Sequence, residues 1–291
     1  MRSRPGSERR VGPGAGGNLT AVRIGFQGED YSYSDQAAQE LYPEDSREGF
    51  PTFVAAFDSL QGGEVDLLVM PIENSTTGSV LAVLDRLLPG QVKIVREHLV
   101  EVRHVLLGQH GASLEDIREV HSHPEALAQA EAILTHWGWS AVPAHDTAGA
   151  VRIVSESGSS SSAALGPERA AEPFGLSILL RDVIDRPHNT TRFVVLSAGE
   201  PEIAANADKT TVAFTTAHTP GALALALTEL GLRGANLTRI ESRPTDQAWR
   251  YRMFVDLTHL PGPEGVRRIF EPRPSSLDDL KFLGTYRSVL R

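Results

Sequence analysis

The chain has 291 residues, of which 41% are hydrophobic and 22% charged, a balance that suits about two globular domains with sizeable cores. A formal net charge of −9 excludes a broad nucleic-acid surface, because neutralising phosphates needs clustered Lys and Arg; an anionic metabolite would have to be met by locally concentrated positive potential. The absence of cysteine removes disulfides, thiolate metal sites and cysteine nucleophiles, and no apolar run approaches the roughly 20 residues that span a bilayer.

Residues 1–20 mix Arg with Gly and Pro, lack the apolar stretch of a secretory signal, and are expected to form a disordered tail. From Ala21 short apolar runs alternate with helical stretches, the pattern of an α/β domain extending to residue 198. Residues 22–26 read as a strand, Gly28 permits a tight turn, and Ser32 opens a helix to about residue 41 by capping-box spacing with Asp35. Residues 53–60 read as a helix behind Thr52, and 66–72 as a buried strand leading into the polar loop Glu73-Asn74-Ser75-Thr76-Thr77-Gly78. A helix over 80–88 ends at Pro89-Gly90, and 92–107 holds two strands split near Leu99. After a strand at 119–122, Pro124 suits the first position of a helix reaching His136. Asp146-Thr147 caps a helix through about residue 155. A Gly/Ser loop at 158–162, a strand at 163–165, a short helix from Pro167 and strands at 178–183 and 192–196 complete this domain.

Residues 199–208 read as a linker to a second, smaller domain over 209–291. There 210–216, 221–230, 237–242 and 250–257 give strand, helix, strand and strand, the front half of a ferredoxin-like βαββαβ unit. Pro261, Pro263, Pro272 and Pro274 argue against a long second helix.

The chemistry is carried by loops at strand ends. Helix starts near Ser32, Ser75, Ser122-His123-Pro124 and Asp146-Thr147 all follow strands, and such N–H-rich termini can form an anion crevice; ordinary capping explains each taken singly. Thr191 and Arg192 stand at the mouth of the apolar strand 193–196, where a guanidinium can grip a carboxylate and a hydroxyl adds a donor. Strand alternation turns Arg192 and Val194 away from Phe193 and Val195, and a surface ion pair with Asp182 or Asp185 accounts for Arg192 equally well. Glu73 beside Asn74 could serve as a general acid were its pKa raised, against the plainer solvated or capping role. The histidines have no metal spacing, and no dinucleotide fingerprint, P-loop or nucleophile elbow is present.

Taken together, Gly25-x-x-Gly28 leading to Tyr31-Ser32, Pro71-Ile72-Glu73-Asn74-Ser75, Ser122-His123-Pro124-x-Ala126-Leu127, Asp146-Thr147-Ala148-Gly149-Ala150 and Asn189-x-Thr191-Arg192-Phe193 resemble the prephenate dehydratases and the closely related arogenate dehydratases. Gly221-Ala222-Leu223, Asn236-Leu237-Thr238 and Glu241-Ser242-Arg243-Pro244 resemble an ACT regulatory domain of the phenylalanine-sensing type. The opening loop departs from the family, with Phe26-Gln27 and Glu29-Asp30 where many members carry Pro and Thr-Phe.

The resemblance implies two α/β lobes around a cleft, like type II periplasmic binding proteins, and conversion of prephenate to phenylpyruvate, water and CO₂ without metal or cofactor. It implies that Thr191 is the essential threonine, with Arg192, Phe193, Asn74, Ser75 and Glu73 around it, and that Gly28, Ser32, Ser122, His123, Asp146, Thr147 and Ala148 hold the substrate. Phenylalanine would bind at Gly221, Ala222, Leu223, Asn236, Leu237, Glu241, Ser242 and Arg243 within a cytoplasmic homodimer or homotetramer, with no nucleic-acid or membrane partner. Arogenate as the substrate, and a non-catalytic amino-acid or organic-acid sensor, stay open as alternatives.

Overall fold

The computed structural model describes residues 21–185 and 188–289; the expected N-terminal tail lies outside them. Lobe 1 comprises β1 (Arg23–Gln27), α1 (Tyr33–Leu41), β2 (Ser46–Phe50), α2 (Phe53–Gly62), β3 (Leu67–Asn74), β4 (Gly78–Ser79), α3 (Leu81–Leu87) and β5 (Val92–Glu101). The chain then crosses into lobe 2, made of β6 (His104–Gly108), β7 (Glu119–Ser122), α4 (Pro124–Gln129), α5 (Glu131–Trp137), β8 (Ser140–Pro143), α6 (Thr147–Ser157), β9 (Ser162–Pro167) and β10 (Ser177–Leu180). It returns to lobe 1 as β11 (Thr190–Ala198). A C-terminal unit follows, with β12 (Lys209–Thr215), α7 (Ala222–Leu232), β13 (Asn236–Pro244), β14 (Tyr251–Thr258), α8 (Gly262–Phe270) and β15 (Asp278–Tyr286).

The long apolar runs become strands covered on both faces. Phe193 and Val195 of β11 pack with Val69, Ile24 and Phe26 beneath Ala37, Ala38 and Leu41 of α1. Val194 and Leu196 face the other way, into a core with Leu68, Met70, Ile72 and the α2 and α3 residues Phe57, Leu60, Val83 and Leu84. Lobe 2 has its own sheet, β10-β6-β9-β7-β8, packed by α4 and α5 on one face and α6 on the other.

In the C-terminal unit the strands lie in the order β13-β14-β12-β15, the ferredoxin-like arrangement, with α7 and α8 over one face. The sheet does not stop at this unit. β15 runs parallel to β5 through the pair Gly284↔Ile94, giving one path β13-β14-β12-β15-β5-β11-β3-β1-β2. A side chain at position 284 would put its Cβ 2.2 Å from the Ile94 carbonyl oxygen, so only glycine lets the two backbones approach. Ala213, Phe254, Leu283 and Tyr286 accordingly complete the lobe 1 core.

Three expectations are corrected. β2 was not foreseen, because this exposed edge strand, Ser-Arg-Glu-Gly-Phe, carries no apolar alternation. The β5 to β6 break falls at Val102-Arg103 rather than Leu99, since β5 pairs with β11 as far as Glu101. The helix expected to reach His136 is divided at Ala130: Asp185 N–H takes the Gln129 carbonyl at 2.7 Å, and the Asp185 carboxylate accepts from Ala132 N–H at 2.9 Å. The second helix of the C-terminal unit is short, nine residues set between its prolines. Pro261 is its N-cap, Pro263 falls in the first turn where no N–H is required, and Pro272 and Pro274 come after its end. No helix among the described residues is long and apolar enough to cross a membrane.

Candidate active site

A cleft of about 180 Å³ opens between the lobes where β1 and β3 end and β11 begins. Lobe 1 lines it with Gln27, Gly28, Ser32 and Asn74, lobe 2 with His104, His123, Gln129 and Thr147, and β11 and its approach with Thr191 and Asn189. Thr191 lies opposite Asn74 in the β11–β3 ladder. The Asn74 side chain is fixed on all sides: its oxygen accepts from the Thr76 and Thr77 backbone N–H groups at 2.9 and 3.1 Å. Its amide nitrogen must then be the donor, to Asn189 Oδ1 at 2.7 Å and to Thr191 Oγ1 at 2.9 Å.

Four side chains close a ring around this point. Asn74 donates to Asn189, Asn189 Nδ2 to Gln129 Oε1 at 2.7 Å, Gln129 Nε2 to Thr76 Oγ1 at 2.8 Å, and Thr76 Oγ1 to Asn74 Oδ1 at 2.6 Å. Gln129 belongs to lobe 2, so the ring ties the lobes together at the Thr191 hydroxyl. Ser75 reinforces it from behind, with its hydroxyl between the His188 carbonyl and the Thr190 N–H.

Helix starts frame the cleft as expected at three places. Ser32 caps α1, His123 Nδ1 accepts from Glu125 N–H at the start of α4, and Asp146 accepts from Gly149 N–H at 2.7 Å at the start of α6. The fourth is absent, because residues 75–77 form a turn held by Asn74 and α3 begins only at Leu81 without a side-chain cap. Gly28 reaches the cleft with φ 112°, a conformation that requires glycine. Lobe closure is held by Arg152, which grips Glu29 through two 3.0 Å bonds, and by Arg169, 3.1 Å from Asp35. The departing loop residues Glu29 and Asp30 thus include one partner of an interlobe pair.

Several expected site residues do not reach the cleft. Arg192 is 4% exposed and points to the opposite face of β11, where its guanidinium donates to Glu97, Asp256, Glu73 and the Tyr286 hydroxyl. It grips neither a substrate carboxylate nor Asp182 or Asp185. Glu73 follows it to that face. Ser122 is wholly buried and spends its hydroxyl on the Leu165 carbonyl at 2.7 Å, and Ala148 is buried under the α6 start. Phe193 lies in the core beneath the cleft, next in line on the Thr191 face.

Gln129, Tyr33 and His104 were missed; nothing local in the sequence marks them. Tyr33 donates to the Arg103 carbonyl at 2.7 Å, so its oxygen accepts from His104 Nδ1 at 3.2 Å and the His104 ring is the Nδ1–H tautomer. Burial, and secondarily the nearby His123, pushes the His104 imidazole down to about 4. The folded protein therefore keeps this ring neutral while the unfolded chain takes up a proton below 6.5, so its contribution to stability is complete above 6.5 and is lost as pH falls towards 4. We expect denaturant titrations of wild type to show about 3 kcal/mol of loss from this group across that window, and His104→Gln to flatten the profile. Equal slopes for the two proteins would discard His104 as the cause.

Among the residues expected to bind an effector, Gly221 (φ 79°), Ala222 and Leu223 share a pocket formed by residues 216–224. Asn236 is exposed at the start of β13, Leu237 packs in the core of the C-terminal unit, and Glu241 and Ser242 lie further along the strand. Arg243 is committed elsewhere, paired with Asp85 of α3 at 2.7 Å.

Two α/β lobes closing a cleft of amide and hydroxyl groups define the class: a two-lobed α/β protein with its site between the lobes. Within that class the chain belongs to the prephenate dehydratase family, whose model matches residues 24–201. It is 41% identical over 229 residues to arogenate dehydratase/prephenate dehydratase 2 of Arabidopsis thaliana, a chloroplastic protein, covering 78% of this chain and 60% of the relative. It is 35% identical over 270 residues to a bifunctional N-acyl-homoserine lactone acylase/prephenate dehydratase of Komagataeibacter europaeus, covering 92% and 94%. The structure of prephenate dehydratase from Arthrobacter aurescens in complex with L-Phe superposes with a TM-score of 0.80 at 30% identity, over 92% of this chain and 90% of that one. The chain spans about three-fifths of the length of its plant relatives.

Proposed function

We propose that the protein removes CO₂ and water from prephenate to give phenylpyruvate, with Thr191 donating a hydrogen bond to the departing ring oxygen. One observation carries this reading. Asn74 is locked as a donor to Thr191 Oγ1, which leaves the threonine's own proton to point into the cleft. As the bond to CO₂ breaks, its electron pair completes the aromatic ring and the ring C–O bond opens. Negative charge grows on that oxygen, where a preorganised donor strengthens, and the oxygen leaves as water once protonated. Aromatisation drives the step, so orientation is the protein's main task. The N-termini of α1 and α6, capped by Ser32 and Asp146, supply N–H groups for the two carboxylates, with His123 and Thr147 beside them.

The C-terminal unit we read as an ACT-type sensor of L-phenylalanine, binding at the pocket of Gly221, Ala222 and Leu223, with Asn236 and Leu237 nearby across a paired copy of the unit. The ferredoxin-like strand order and the L-Phe named in the Arthrobacter aurescens complex support this. The decisive assay follows phenylpyruvate formation by the purified full chain from prephenate and phenylalanine formation from arogenate in parallel, with phenylalanine added to or omitted from the prephenate reaction. Phenylpyruvate should appear from prephenate, and phenylalanine should slow it. A folded protein that turns over neither substrate would leave only the sensor alternative, and a rate indifferent to phenylalanine would remove the effector site.

A further inference from the structure

Where the C-terminal unit meets lobe 1, six ionisable side chains face one another, five of them with almost no access to water. Lobe 1 contributes Arg192, Glu97 and Glu73; the C-terminal unit contributes Lys209, Asp256 and Arg239. Glu73 is 36% exposed, whereas the other five are between 0% and 6%. Arg192 Nε donates to Glu97 at 2.7 Å, Nη1 to Asp256 at 2.5 Å and to Glu73 at 3.2 Å, and Nη2 to the Tyr286 hydroxyl at 2.9 Å. Lys209 reaches Glu97 at 2.9 Å, and Thr211 donates to Asp256 at 2.7 Å. Arg239 stands 3.9 Å from both Glu73 and Asp256 and donates to Ser79 at 2.8 Å.

The charges balance only across the boundary. Lobe 1 brings one cation and two anions, the C-terminal unit two cations and one anion, so each surface is complementary to the other. Burial pushes the Asp256 carboxyl up, but Arg192, Arg239 and Lys209 more than offset it and hold it below its ordinary value. Neither half could bury these groups alone without stranding a charge.

The location matters as much as the charge. Arg192 is the residue after Thr191, on the opposite face of β11. Between Arg192 and Phe193 the β11–β3 register slips, pairing Arg192 with Glu73 but Phe193 with Pro71. The slip loosens only the β3 side, since β5 pairs with β11 in unbroken register from Thr190 to Val195, and the clamped guanidinium holds the strand on the side where the β3 ladder is interrupted. We propose that the C-terminal unit is a built-in part of the active site: Asp256 and Tyr286, acting through Arg192, are positioning residues that set where the Thr191 hydroxyl stands. This rests on the role given to Thr191 above.

Tyr286→Phe removes one hydroxyl without changing shape, and Asp256→Asn removes one charge; both are tested in the full chain. In Tyr286→Phe, kcat for phenylpyruvate formation should fall about ten-fold while KM for prephenate stays within about two-fold, because positioning matters in the transition state more than in binding. Amide hydrogen exchange should quicken in peptides covering residues 189–192 and 74, and stay unchanged in α6. Asp256→Asn should shift the same two readouts further, and if it does not fold, Tyr286→Phe alone decides. A kcat within about two-fold of wild type with unchanged exchange at residues 189–192 would overturn the proposal, as would exchange that quickens evenly over both lobes. Should wild type form no phenylpyruvate, the assigned reaction falls, and the exchange arm still judges the clamp.

Discussion

Thr191→Ala is expected to lower kcat for phenylpyruvate formation by about 10²–10³-fold, the usual cost of deleting one preorganised donor at a developing oxyanion. KM should move little, since the hydroxyl is assigned to the departing oxygen and the carboxylates are held elsewhere. The surrounding geometry should survive the change. Asn74 keeps its bonds to Asn189, Thr76 and Thr77, and the ring through Gln129 does not include Thr191. Thr191→Ser, which keeps a hydroxyl at the same atom, should recover much of the loss. Steady-state kinetics with prephenate check both variants, and an alanine variant with near-wild-type turnover would remove Thr191 from the chemistry.

Arg192→Leu is expected to damage stability, not only rate. It deletes the central cation of a buried cluster and leaves Glu97 and Asp256, both 0% exposed, short of their closest positive partner. Burial alone pulls the Arg192 guanidinium towards neutrality, but Tyr286, Asp256 and Glu97 reverse this and hold it charged. Removing one member of such a set costs about 3–5 kcal/mol, a large share of the stability of an ordinary domain. Chemical denaturation should show a midpoint lowered accordingly, or the variant should fail to accumulate in soluble form. A change below about 1 kcal/mol would mean that water enters the cluster and screens it as it screens a surface pair.

These two neighbours show how far the sequence can be read. Alternation along β11 suffices to turn Thr191 and Arg192 to opposite faces, and the structure keeps that division. What each face meets is another matter. The partners of Arg192 at Glu97, Asp256 and Tyr286 lie 95, 64 and 94 residues away, so no local pattern distinguishes a substrate clamp from an interior strut. The same limit hides the ring at Asn74, whose members Asn189 and Gln129 are 60 residues apart, and the fate of Ser122, whose hydroxyl is claimed by a carbonyl 43 residues on. Apolar strands and capped helices were legible because their signals are local. Edge strand β2 was not, because only its hydrogen bonds to β1, and not its own side chains, make it a strand. The prolines around α8 were legible as limits on its length, but not its start, which carries no side-chain cap to announce it.

The pairing of Gly284 with Ile94 has a mechanical meaning. Enzymes and their sensor modules are often strung together like beads, with slack between them that absorbs strain. Here the C-terminal unit and lobe 1 share one continuous sheet. β15 touches β5, and β5 is hydrogen-bonded along β11 from Thr190 to Ala198. A tilt of the C-terminal sheet therefore has no slack segment in which to dissipate before it reaches the strand that carries Thr191. Lobe 2 contributes no strand to that sheet and is joined to it instead by the Arg152–Glu29 pair and the Gln129 ring. The shared sheet leaves the strand that carries Thr191 backed by the C-terminal unit as well as by lobe 1.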